Sequence, residues 1–440
     1  MTVCGWLQAI GGVPWWVAGV VGLVGIAALL HWPPLGLVVL LVGSLATPIA
    51  IGTGSKTPLS FPLLCVPLLM ALWLPNLLHN DRSRIFSLRP VPPLLVLVTA
   101  ATLSFAVVNQ PWVFIAPTAP LRAQLGGLLV FFLSAGAFLL AADYLRNLRW
   151  LQVITAVFLA IGGIHLVDCF VPGLDLPAGL GVQKGAAGSL LWTWLVAMAF
   201  SQGALNRHLN VFWRLALGAI VGGALYVGLV PNRSWLSGWV PPLVAVMATL
   251  WAAAPRVALP VTLLGGLGVT AALPTVVGFA LDAGNQYSLM TRVEAWRVLG
   301  KVIAMSPALG LGPANYYHVT PLFPIRGWYV HFSSHNTYVD IIAQTGLIGF
   351  GCFVWFVWEV GRLGWTLRQR VPTGFARAYV NGAIGGLAGT LAAGMLGDWV
   401  LPFVYNVTLD GFRASVLGWV FLGGLVALAG EPGTKAGNKA

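Results

Sequence analysis

Charge is scarce in this chain. Only 8% of its 440 residues are charged, against ~25% in ordinary soluble domains. With 58% hydrophobic residues, that scarcity excludes a water-soluble globular protein. Cysteine is also sparse. Cys4, Cys65, Cys169 and Cys352 form no CxxC pair, which leaves no disulfide framework to build on. Nucleotide-binding signatures are missing: there is no GxxxxGK[ST] and no GxGxxG after a strand. HExxH is absent too, and with it the clearest metal signature. The N-terminus has no basic segment before its first apolar run, so no cleavable signal is expected. No soluble domain is expected at either end.

What the chain does have is apolar runs of membrane-spanning length. Thirteen can be placed, at about residues 14–31, 34–51, 59–78, 91–108, 124–143, 151–171, 187–204, 215–231, 236–254, 257–279, 343–361, 378–398 and 412–429. His31-Trp32-Pro33-Pro34 barely separates the first two, so twelve crossings are expected, with both ends cytoplasmic. The expected fold is an all-α polytopic membrane protein, a single transmembrane domain over residues 1–440. Many of the 20 tryptophans close apolar runs, a placement that suits interfacial anchoring. The formal charge of +12 reflects Lys and Arg in alternate connections. Arg82, Arg84, Arg89, Arg146, Arg149, Arg207, Arg214, Arg256, Arg362, Arg368, Arg370, Arg377, Lys435 and Lys439 all fall on one side, the cytoplasmic one by the positive-inside rule. No basic run with interleaved aromatics exists, so nucleic acid is not an expected partner.

On the opposite side only one connection is long, residues 280–342. A long structured loop is more often functional than accidental. It opens with an amphipathic helix, Ser288 to Met305. Leu289, Val293, Trp296 and Ile303 make its apolar stripe, and Glu294, Arg297 and Lys301 a paired, solvated face. Arg292 lies off that row. It reads either as an ordinary surface charge or as an anion site, guanidinium being a fork that fits phosphate with two parallel hydrogen bonds. Arg233, in Pro231-Asn232-Arg233-Ser234-Trp235, sits at the outer edge of two spans. Snorkelling to headgroups is one reading. A partner or cavity is the other, since charge held at membrane depth is costly.

Near the loop's end come His331 and Ser333-Ser334-His335-Asn336-Thr337-Tyr338. His335 reads as a general base, because imidazole titrates in the useful range. A structural loop histidine is the bland alternative, and a metal set of His331, His335 and Asp340 is a third. Asn336, Asp398, Arg326 and Lys184 are further candidates to support the site. Arginines at an outer membrane surface point to an anionic lipid head, most simply a pyrophosphate. A histidine beside them points to proton abstraction.

The order of these motifs resembles the bacterial O-antigen ligase family, within the wider group of membrane glycan ligases and O-antigen polymerases. The resemblance runs from about residue 90 to 430. It is carried by Asn232-Arg233-Ser234, by Ser288-Leu289-Met290-Thr291-Arg292-Val293-Glu294-Ala295-Trp296 with Ser306-Pro307 and Gly310-Leu311-Gly312, and by Ser334-His335-Asn336-Thr337-Tyr338 with Gln344-Thr345-Gly346-Leu347-Ile348-Gly349. It implies a fold similar to the C-type membrane glycosyltransferases, in the bacterial inner membrane, with 280–342 as a large periplasmic loop over the active site. It implies transfer of a glycan from undecaprenyl pyrophosphate to a sugar hydroxyl of the lipid A–core oligosaccharide, completing lipopolysaccharide. The implied enzyme inverts the anomeric centre and needs no metal or other cofactor. By the same match His335 is catalytic, Arg233 and Arg292 bind the pyrophosphate, and Asp398 sits where ligase relatives carry a polar Asp. Polymerases of the group extend a lipid-linked glycan instead. A transporter or flippase of lipid-linked glycan is the reading outside enzymes.

Overall fold

A computed structural model describes residues 15–48, 50–51, 58–79, 82–110, 118–171, 182–183, 185–271, 274, 278 and 283–430. Cys4, Lys184, Lys435 and Lys439 lie outside the described residues. The chain is almost entirely helical. In order the helices are α1 (Trp15–His31), α2 (Pro33–Ala46), α3 (Phe61–His79), α4 (Val91–Val108), α5 (Leu121–Tyr144), α6 (Leu148–Phe170), α7 (Ser189–Leu205), α8 (Val211–Leu229), α9 (Leu236–Ala253) and α10 (Pro255–Ala271). The long connection follows with α11 (Ala283–Ala304) and the single turn α12 (Tyr316–Val319), then α13 (Thr337–Arg370), α14 (Phe375–Leu396) and α15 (Phe412–Ala427). A two-residue antiparallel pair, Ala50–Ile51 with Leu59–Ser60, is the sheet among the described residues.

Every expected apolar run is represented by a helix. Among the described residues, eight helices are long and apolar enough to cross a membrane. The α1–α2 pair, bent by 120° at Trp32, makes nine if it counts as one broken span. Two shorter apolar helices, Phe61–Pro75 and Ser189–Leu205, lie in expected runs but fall short of that length. The chain is a multi-pass membrane protein. Its centre is α15, buried along nearly its whole length and packed on α5. Close approach there depends on small residues, as it does along α14, whose Gly382, Gly385 and Gly389 meet Ser201, Thr249 and Thr193 of α7 and α9. Small residues are how helices come together where lipid offers no hydrophobic drive. Arg413 is buried at the top of α15. It donates to Asp410 at 2.7 Å and to the carbonyls of Ser44 (3.1 Å) and Thr47 (2.8 Å), and so closes the C-terminal end of α2.

The decisive local feature is a break in α13. Gly346 has φ 67°, ψ −172° in the middle of an otherwise helical run. A broken helix in an apolar bundle exposes backbone donors and acceptors that must find partners. Here the segment 307–312 supplies them. Leu311 N–H donates to Ala343 O (2.9 Å) and Gly312 N–H to Gln344 O (3.0 Å), while Leu347 N–H donates to Pro307 O (2.8 Å) and Ile348 N–H to Ala308 O (3.2 Å). Ser104 of α4 adds a hydroxyl to Gln344 O at 2.7 Å. This accounts for two sequence motifs together, since Gly310 (φ +70°) lies flat on the backbone of Gln344 and Thr345.

A Cβ at Gly346 would overlap the Ala308 carbonyl, and a non-glycine residue at such a φ costs about 1–3 kcal/mol by itself. Gly346→Ala should therefore lower the thermal unfolding midpoint in detergent by several degrees. Gly351→Ala, later in the same helix and facing open space, should leave it unchanged. Equal midpoints for the two variants would show that the break is not held by this packing.

Candidate active site

The loop helix α11 decides which charges face inward. Its buried row is Ala295, Val298, Leu299 and Val302, the last three packing with Leu311, Tyr316, Val319 and Phe403. That spacing is one face of a helix. Of the expected stripe, Ile303 packs against this cluster, while Trp296 is exposed and Val293 lines an outer cleft, because the helix packs on its own loop and on the 399–411 connection. Arg292 continues the buried row, three residues before Ala295, and is partly buried. Glu294, Arg297 and Lys301 point the other way, into a cleft of about 530 Å³ shared with Arg326. Glu294 accepts the Arg326 backbone N–H at 3.0 Å. Arg326 therefore belongs to this outer cleft and not to the histidine site.

His335 is held by its neighbours on both sides. Ser334 is fully buried, its hydroxyl 2.7 Å from Asp340 Oδ1. Its amide donates to the Tyr316 hydroxyl (3.3 Å) and its carbonyl accepts from Trp296 Nε1 (2.9 Å). Tyr316 itself donates to Asp340 Oδ1. Asn336 caps α13, its Oδ1 accepting from Tyr338 N–H (2.9 Å) and Val339 N–H (3.3 Å). Capping is what Asn does best at this position, so Asn336 supports the site by fixing the backbone. Thr337 donates to Gly397 O at 2.9 Å, joining α13 to the end of α14. Between these anchors His335 has φ +49°. A non-glycine residue holds that conformation only where its surroundings impose it.

Asp398 follows Gly397 and is fully buried. Asn406 joins it to the histidine: its Nδ2 lies 2.7 Å from Asp398 Oδ2 and 3.0 Å from His335 Nδ1. Among the described residues, Asp398 Oδ1 and Asp340 Oδ2 have no hydrogen-bond partner, though both are buried. Burial pushes the Asp398 carboxyl up to about 6, against the downward pull of the Asn406 hydrogen bond and the Arg292 charge. His335 is shifted below its ordinary value, first by burial and then by Arg292. Its neutral form, the one able to accept a proton, thus prevails at neutral pH.

Arg292 thus acts electrostatically on both His335 and Asp398. Arg233 is exposed on the turn between α8 and α9, its carbonyl accepting from Trp239 Nε1 at 3.0 Å. The turn is seated at the same end of the bundle: Trp235 meets Trp399 edge-on at 6.2 Å, and Ser237 donates to Leu396 O at 3.1 Å. Lys184 lies outside the described residues; on either side of it Gln183 donates to Ala46 O (3.1 Å) and Gly185 lies tight against Asp410. His331 stacks on Tyr317 at 5.0 Å, and its Nδ1 lies 2.9 Å from Tyr317 O. It is drawn into a cluster with His318 and Tyr405, away from His335. No group of three His, Cys, Asp or Glu that could hold a metal occurs among the described residues. The sequence reading missed Asn406 and Tyr316, neither of which stands in a motif that advertises it.

Residues 211–354 match a family described as O-antigen ligase. This stretch, about a third of the chain, is similar to the O-antigen ligase family. It contains Arg233, Arg292 and His335, and it ends just past the helix break at Gly346. No curated protein matches the chain. The match supports an activity of the O-antigen ligase or polymerase type in general.

Arg292→Gln should raise the titration midpoint of His335, because a positive neighbour no longer opposes the imidazolium. Histidine-selective NMR of the detergent-solubilised protein would follow it. A midpoint that stays put or falls would mean that Arg292 does not act on His335.

Proposed function

We propose that this protein is an O-antigen ligase of the bacterial inner membrane. It moves a glycan from undecaprenyl pyrophosphate to a sugar hydroxyl of the lipid A–core oligosaccharide on the periplasmic side, completing lipopolysaccharide. The observation that carries the reading is the convergence of Arg292, His335 and Asp398 within and beside the ligase-family segment. Residues 1–440 act as one transmembrane unit, with 280–342 as the loop that covers the reaction.

In this reading His335 takes the proton of the acceptor hydroxyl. The acceptor oxygen attacks the anomeric carbon from the face opposite the pyrophosphate, forming the new glycosidic bond with inversion. The bond from the anomeric carbon to the phosphate oxygen breaks, and its electron pair leaves with the pyrophosphate. Arg292, and Arg233 from its exposed turn, meet the charge that grows there. Fixed positive groups aimed at developing charge are commonly the largest catalytic term. The step needs no metal, because the guanidinium groups supply the positive charge. The proton on His335 is then passed to the departing phosphate or to water.

A groove of about 900 Å³ runs beside this centre, on the far side of the 404–409 segment. Leu125, Leu128, Leu129 and Phe132 of α5 line it, with Arg122 and His318 among its polar residues. Its length of apolar wall suits a lipid chain whose charged head lies toward the site. A polymerase would use the same chemistry with a second lipid-linked glycan as acceptor, and the product decides between them.

Purified protein in liposomes, given a lipid-pyrophosphate glycan and rough lipopolysaccharide, should place glycan on lipid A–core, with or without a chelator. His335→Ala should reduce kcat/KM by about 10²–10⁴-fold, and Arg292→Ala by about 10²–10³-fold. Near-normal transfer by both variants in folded form would overturn the assignment. A longer lipid-linked glycan as sole product would make the protein a polymerase, and no transfer at all would return it to the transporter class.

A further inference from the structure

We propose that Asn406 is the positioning residue of this site, an amide that ties the state of Asp398 to the ring nitrogen His335 presents to the acceptor. The inference rests on His335 being the general base. Asn406 stands on the connection between α14 and α15, beyond the segment that matches the ligase family.

The geometry is a three-part bridge. One amide nitrogen reaches Asp398 Oδ2 and His335 Nδ1 together, at 2.7 and 3.0 Å. A primary amide carries two N–H donors, so it satisfies both acceptors. In that setting Asp398 is ionised and Nδ1 is an acceptor, which puts the hydrogen of the neutral ring on Nε2. The ring is then a donor along its free edge, able to hold a phosphoryl oxygen but not to take a proton.

A half-turn of the amide exchanges its NH₂ for its oxygen. The oxygen now accepts from Nδ1–H, and the Nε2 lone pair is free to act as base. The same oxygen faces Asp398 as well, and two acceptors cannot face each other at that distance. Asp398 must then carry a proton. The base-competent tautomer of His335 and the protonated form of Asp398 therefore arise together.

The surroundings bear on this balance from every side. Arg292 on α11 favours ionised Asp398 and neutral His335. Asp340 on α13 opposes a second negative charge beside it, and Tyr316 on α12 is bonded to Asp340. Asp398 Oδ1 and Asp340 Oδ2 are buried without partners, as groups that receive a proton would be. Burial already holds Asp398 near neutrality, at about 6, and a bound pyrophosphate, being anionic, moves it higher.

The test is the pH dependence of kcat in the same transfer assay, for the parent and for Asn406→Leu, Asp398→Asn and His335→Ala. The parent profile should fall on its alkaline side as Asp398 loses its proton. Asn406→Leu should lower kcat by about 10–100-fold, the range found for hydrogen-bond partners of metal-bound histidines, leave KM for the donor little changed, and abolish the alkaline fall. Asp398→Asn keeps a neutral donor facing the turned amide. Whatever rate it has should lose the alkaline fall, and being isosteric it guards against a misfolded leucine variant. Asn406→Leu with the parent profile, or Asp398→Asn with its alkaline fall intact, would overturn the coupling while an inactive His335→Ala left the base assignment standing. An active His335→Ala would remove the reading on which the coupling rests.

Discussion

The arrangement of this protein depends on one constraint: a helix broken inside an apolar bundle must recover its lost backbone hydrogen bonds. Gly346 makes the break, and segment 307–312 makes the repair through four backbone bonds to α13. Because that segment is also the exit from α11, repairing the helix fixes where the loop helix lies. Arg292 then continues the row that α11 buries, and comes to face His335. A charge beside His335 is in this way positioned by main-chain bonding some distance from it. The placement of the candidate side chains is downstream of a backbone accounting problem.

Much of this was legible in the sequence, and for identifiable reasons. Apolar runs of spanning length admit few other folds, so the helices fell where expected. Gly310, Gly312 and Gly346 announce backbone conformations that other residues resist, although their mutual contact joins positions far apart in sequence and no local pattern reports it. Arg292 and His335 stood out because charged and titratable residues are rare here. The face that α11 buries is set by the loop cluster of Tyr316, Val319 and Phe403, contacts that helical periodicity alone does not report. Arg326 shows how proximity in sequence misleads, since it is carried to the outer cleft beside Glu294. Asn336 spends its side chain on the cap of α13 and so acts through the backbone.

Asn406 was illegible for a different reason. It lies in Tyr405-Asn406-Val407, a stretch with no pattern, and its meaning comes wholly from Asp398 on one side and His335 on the other. What places it is aromatic packing. Tyr316 stacks on Phe403 at 4.6 Å and Tyr317 on Tyr405 at 4.4 Å, with His318 bonded to the Tyr405 hydroxyl at 2.9 Å. These contacts join the α12 region to the connection between α14 and α15, and Asn406 is the next residue along.

The same packing explains how buried carboxylates persist beside the site. An ionised carboxylate removed from water is costly unless hydrogen-bonded or paired. Asp340 is compensated by Tyr316 and Ser334, Asp398 by Asn406 and the nearby Arg292. Each is left with one oxygen unsatisfied, so each is solvated well enough to stay but not well enough to be indifferent to a proton. Arg292 cannot cancel both charges and also hold His335 neutral without leaving some positive field directed at the open side. An anionic leaving group entering there would meet that field. The buried acids therefore set the strength of the charge that Arg292 can offer, and the aromatic stack, by fixing Asn406 between them and the histidine, sets which nitrogen the imidazole turns toward the substrate.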